Sequence, residues 1–187
     1  MYRLMPHVTF VPIKTIGLPL HKKIWTILFS FNRRIVLTED YYHTFPDSSI
    51  GMLPAGFTSD GVSVPRTLFS VILIVAIDTY TPSIAYTMLA CLLLVTAFGV
   101  MLVPGLFHDF EYRYKCILGK DKKPLHVLPS TRAQADDRFK RVNLQINDLL
   151  IFAVFGYILL RLGGWVAWNK HRKNDDTDKN NWRTLIH

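Results

Sequence analysis

Four side chains carry the types that chemistry needs: Asp60, His108, Asp109 and Asp136. Carboxylates with one imidazole suit a hard or borderline divalent metal, Zn, Mg or Mn. The same set serves equally as a His/Asp acid–base pair that activates water. On this reading His108, Asp109 and Asp60 are the catalytic candidates, and all four are candidate metal ligands. The His-Asp pair sits in Phe107-His108-Asp109-Phe110-Glu111-Tyr112-Arg113, directly after the longest apolar run of the chain. Charge beside an apolar wall is costly unless it is paired or ligated. A second reading therefore stands beside the first. In it the cluster is a buried salt-bridge network, with Arg66, Arg113 and Arg132 neutralising the acids. Ser63 follows Asp60 closely, but no Gly-x-Ser-x-Gly surrounds it, so it reads as a cap or turn hydroxyl. Tyr112 reads as a packing aromatic or as a donor into the site.

These residues need elements to hold them. The length of 187 residues suits one domain with an added membrane part. The net charge of +8 is carried by the flanks: Arg3, Lys14, Lys22, Lys23, Arg33 and Arg34 precede the first acid. Such a balance suits anionic headgroups, and sequence-specific nucleic acid is not expected. Residues 24–29, 34–38 and 50–57 are strand-like, the first reading also as a short interfacial helix, and predict a small antiparallel sheet, with a turn at Pro46–Ser49. Residues 39–45 alternate poorly. From Thr67 to Phe107 there is no Lys or Arg and one acid, Asp78. One membrane helix needs about 20 apolar residues, so this run predicts a segment that crosses twice or dips in and returns, with a buried core hairpin of a soluble domain as the alternative. That return would bring Asp60 and His108 to one side. Thr131-x-x-Gln134 has the capping-box pattern and opens a helix with Ala135, Phe139, Val142 and Ile146 on one stripe. Arg132 and Asp136 are placed to pair on its surface. Leu149–Trp168 is a further apolar helix carrying Arg161 and a Gly163-Gly164 break, placed across a membrane or at its surface with Trp165 and Trp168 at headgroup level.

The expected class is α+β: a small antiparallel sheet packed with helices, plus an apolar helical hairpin in a membrane and a C-terminal apolar helix. The expected parts are a strand-rich part of a head at 1–66 and the hairpin at 67–107. They continue with the helical part of the head at 108–148, the apolar helix at 149–168 and a polar tail at 169–187. Cys91 and Cys116 form no metal or disulfide pattern. The remaining histidines are scattered and carry no assigned role.

Four blocks occur in order: residues 54–66 (Pro-Ala-Gly-Phe-Thr-Ser-Asp-Gly-Val-Ser-Val-Pro-Arg), His108-Asp109-Phe110-Glu111-Tyr112-Arg113, residues 131–139 (Thr-Arg-Ala-Gln-Ala-Asp-Asp-Arg-Phe) and Leu160-Arg161-Leu162-Gly163-Gly164-Trp165. Together they resemble the phage-associated domain-of-unknown-function family 1353. The stretch between Arg66 and His108 departs from it in being longer and more apolar. The resemblance implies phage or prophage origin, with hydrolase-like chemistry suggested only by residue type. The expected function is a phage or prophage membrane-associated protein, a virion or envelope component, with a metal-dependent hydrolase-like His/Asp site. The alternative is a non-catalytic virion membrane structural protein in which the cluster only stabilises the fold. The expected partners are lipid, other virion proteins or a second copy, and the expected location is the virion membrane or the host envelope. A His-Asp phosphohydrolase is disfavoured, because that fold is all-helical and His43 lies in strand-like sequence.

Overall fold

The computed structural model describes residues 5–10, 19, 35–59, 101–173 and 181–186. Within them the strands are β1 (Val8–Phe10), β2 (Ile35–Leu37), β3 (Tyr41–Thr44), β4 (Ile50–Leu53), β5 (Thr58–Ser59) and β6 (Leu118–Gly119). The helices are α1 (Leu102–Tyr114), α2 (Arg132–Asn147) and α3 (Leu150–Arg172), with a 3-10 turn at Trp182–Leu185.

The strands form two antiparallel three-stranded sheets, β1-β2-β5 and β3-β4-β6. This corrects the expected single sheet. Residues 35–59 make one hairpin, but both of its arms bend at the same level. Asp40 accepts a hydrogen bond from the Ala55 amide at 2.8 Å, and the Gly56 amide donates to the Leu37 carbonyl at 2.8 Å. Pro54 has no amide to give a ladder, and Gly56 turns with φ of +79°, which a Cβ would resist. The inner arms therefore pair as β3 and β4, the outer arms as β2 and β5. Residues 39–45, which alternate poorly by hydropathy, still supply β3: Tyr41 and His43 point inward, Tyr42 and Thr44 outward.

Helix α1 runs through the core and is buried from Val103 to Tyr112. Phe107 packs edge-on to Phe45 at 5.1 Å, and Phe110 packs edge-on to Phe57 at 5.1 Å. Helix α2 starts at the expected capping box. The Gln134 amide donates to Thr131 Oγ1 at 3.3 Å, and the Thr131 amide donates to Gln134 Oε1 at 2.8 Å. Its buried face carries Ala135, Asp136, Phe139, Val142 and Asn143. Helix α3 lies against α2 and α1 through Ala153, Gly156, Leu160 and Gly164. A Cβ built on Gly156 would meet the Phe139 ring at 2.7 Å, so the helices approach closely there.

The expected membrane hairpin is corrected at its described end, residues 101–107. Among the described residues no helix is long and apolar enough to cross a membrane. Residues 67–100 lie outside the described residues. The end of that run does not leave a bilayer: it is the first half of α1, where Val103, Leu106 and Phe107 are buried in the core beneath the strands. The apolar character of these positions is spent on the head itself. The Gly163-Gly164 pair does not break α3, which continues to Arg172.

Candidate functional site

His108 and Tyr112 are one helical turn apart on α1 and share a face. Both reach Asp136, which α2 turns inward and buries completely. His108 Nε2 lies 3.1 Å from Asp136 Oδ1, and the Tyr112 hydroxyl donates to the same oxygen at 2.5 Å. Arg161 of α3 donates from Nη1 to Asp136 Oδ2 at 3.0 Å. One carboxylate thus binds three helices together. Asp109 follows His108 on α1 and faces the strands instead, accepting a hydrogen bond from the Ser59 hydroxyl of β5.

The expected arginines do other work. Arg113 points from Nη1 to Thr58 Oγ1 at 3.4 Å and stacks over the Phe57 ring at 5.3 Å. Arg132 donates to the carbonyl of Arg161 at 3.3 Å rather than pairing with Asp136 at the surface. Asp60, Ser63 and Arg66 lie outside the described residues. Four partners escaped sequence reasoning: Arg161, Ser59, and the pair of Arg138 with Glu111 at 2.9 Å. The signal for Arg161 is its isolation, a single charge in the otherwise apolar segment 149–168, which demands a partner. Glu111 is fully buried, and its Oε2 makes no hydrogen bond.

Burial alone would raise the Asp136 carboxyl, but the hydrogen bonds from His108, Tyr112 and Arg161 and the charge of His108 hold it below the ordinary range. Burial disfavours the His108 imidazolium, yet the carboxylates of Asp109 and Asp136 outweigh this and raise its pKa. Burial raises Glu111 against the opposing pull of Arg138. Burial also pushes the Cys116 thiol up to about 12, which leaves it a poor nucleophile.

Within the cluster, the buried His108 Nδ1 and Asp109 Oδ1 make no hydrogen bond, and they stand 3.9 Å apart. A cation about 2.1 Å from each would fit that gap. Among the described residues no group of three His, Cys, Asp or Glu side chains converges for a metal. The expected four-residue ligand set is therefore represented by two donors, because Asp136 is committed to its own partners and Asp60 is not described. A surface cavity of about 150 Å³ is lined by Phe45, Asp47, His126, Arg138 and Arg141 among others, and by none of the cluster residues.

No family model, curated protein or solved structure matches the chain. The reading of the site thus stands on its geometry. What that geometry does chemically is hold opposite charges in a sealed, hydrogen-bonded arrangement, with one imidazole nitrogen and one carboxylate oxygen left over.

The titration directions set a pH dependence. The depressed Asp136 contributes stability above its unfolded pKa, and this is lost as pH falls through its folded value. The raised His108 contributes stability that is complete below its ordinary 6.5 and is lost as pH rises through its folded value. Glu111 adds a loss that begins as pH rises above its ordinary 4.5, since the unfolded chain ionises it more readily. Melting temperature should peak at about pH 4 to 4.5, fall at lower pH, and fall further as pH rises through the His108 range. The variant His108→Gln should flatten the alkaline limb in melts followed by circular dichroism.

Proposed function

We propose that the protein is a phage or prophage component acting at the membrane of a virion or of the host envelope. In this reading its His108/Asp109/Asp136 cluster holds the fold and runs no reaction. The four ordered sequence blocks support the phage assignment. The observation that carries the structural role is Asp136: its side chain is fully buried, and both oxygens are occupied by donors from neighbouring helices. A carboxylate committed in this way has no place for a substrate atom or an attacking water. The test compares wild type with His108→Gln on peptidoglycan and on phosphoesters, with Zn, Mg or Mn added. Neither protein should hydrolyse either polymer, while the variant should melt several degrees lower. Hydrolysis by wild type that His108→Gln abolishes would overturn the structural reading.

A second reading has its own observation, the orphaned pair of His108 Nδ1 and Asp109 Oδ1. In a metal-dependent hydrolase these two atoms would hold the ion, which would acidify a bound water. Metal analysis of the purified full chain separates the readings. About one equivalent of tightly held divalent metal, lost in both His108→Gln and Asp109→Asn, would favour the hydrolase. Metal below a tenth of an equivalent in wild type, with melting unchanged by chelator, would favour the staple.

A further inference from the structure

Helix α3 is apolar on two opposite sides. One side packs on α2 and α1. The other exposes Phe155, Ile158, Leu162, Trp165 and Val166, with Leu162 at 64% and Trp165 at 55% exposure. Their spacing of three, four, three and one places them on a single stripe. No charged residue interrupts this stripe. Asn169 and the exposed Lys173 continue it at helical spacing, with exposed Lys170 beside them. A contiguous row of large apolar side chains facing water is often a functional contact surface.

We infer that this outward stripe of α3 seats on an anionic lipid surface, with its apolar side chains entering the headgroup boundary and Lys170 and Lys173 meeting the phosphates. The inference rests on the membrane reading above and assigns the face that makes the contact. Three observations favour lipid over other occupants. The stripe runs from apolar residues through Trp165 to lysines, which is the order an interface demands. The chain carries +8, and its first 36 residues hold six cations and no acid, so an anionic surface is the complementary one. The face presents five large apolar side chains, far fewer than the roughly 20–30 residues a side of a stable protein interface.

The test uses the purified full chain and vesicles of phosphatidylcholine, with or without about a third of phosphatidylglycerol. Wild type should sediment with the anionic vesicles about tenfold more strongly than with neutral ones. Leu162→Glu/Trp165→Glu should lose about tenfold in binding, and Lys170→Glu/Lys173→Glu should lose the preference for anionic lipid. Brominated lipid should quench tryptophan emission, and Trp165→Phe should remove most of that quenching. If wild type binds and neither the face variant nor Trp165→Phe changes anything, lipid contact lies elsewhere and this face is wrongly assigned, while the membrane reading survives. If wild type binds no vesicle, both fall. A dimer that Leu162→Glu/Trp165→Glu converts to monomer would give the face to a second copy. A large drop in melting temperature of that variant without vesicles would give it to the chain's own apolar run. Either result overturns the inference.

Discussion

Replacing Asp136 with alanine is expected to destabilise the protein by about 3–5 kcal/mol, the range for breaking a buried charged network by removing one member. The loss comes from what is left behind. His108 is buried, and its Nε2 would lose its partner. Tyr112 is also buried, and its hydroxyl would be orphaned too. Each such orphan costs about 1–3 kcal/mol. Arg161 contributes less, because its side chain is 36% exposed and can turn to water. Asp136→Asn should cost less than alanine, since an amide oxygen still accepts from Tyr112, although the facing amide nitrogen cannot accept from Arg161. The adjacent Asp137→Ala is the control. Asp137 is 40% exposed and pairs with Arg141 one turn on, so its loss should cost under about 0.5 kcal/mol. Urea unfolding followed by circular dichroism measures all three. Equal effects at 136 and 137 would remove Asp136 from its place as the hub.

The parts of this architecture legible in the sequence are those set by neighbouring residues. The capping box of α2 needs only Thr131 and Gln134, and Ala135, Phe139 and Val142 follow it into the core at helical spacing. Local rules failed where the deciding contact was tertiary. The split into two sheets depends on Asp40 reaching the amide of Ala55 across the hairpin, which no pattern within one strand announces. The end of the apolar run before His108, residues 101–107, reads as lipid-facing because hydropathy does not distinguish a bilayer from a protein core. Val103, Leu106 and Phe107 are apolar because strands cover them. Side-chain type singles out both Asp136 and His108, and the two side chains do meet. Spacing alone matches Arg132 to Asp136. That pairing requires Asp136 to face solvent, whereas the buried face of α2 turns it inward. Arg161 lies 25 residues away on another helix, a distance at which spacing carries no signal.

Helix α3 offers the sharper test of this packing, because the expected sign runs against helix propensity. Glycine inside a helix is about 1 kcal/mol less favourable than alanine, so Gly164→Ala at an open site would stabilise. Here a methyl would stand 2.4 Å from the Tyr112 hydroxyl oxygen and 3.3 Å from its ring carbon. That tyrosine cannot step aside: its ring is buried against His108 at 3.9 Å and Trp168 at 5.1 Å, and its hydroxyl is bound to Asp136. Either α3 moves off α1 or Tyr112 leaves Asp136. Gly164→Ala is therefore expected to destabilise by about 2–3 kcal/mol, in the range for overpacking a filled core. Tyr112→Phe alone should cost about 1 kcal/mol through the lost hydrogen bond. Combined, the two should cost less than their sum by about 1 kcal/mol or more, because removing the hydroxyl removes the atom that the new methyl strikes. Strict additivity in that double-mutant cycle would mean that the hydroxyl is not what holds position 164 to glycine. The bond from Tyr112 to Asp136 and the seating of α3 would then be separate features instead of one joint.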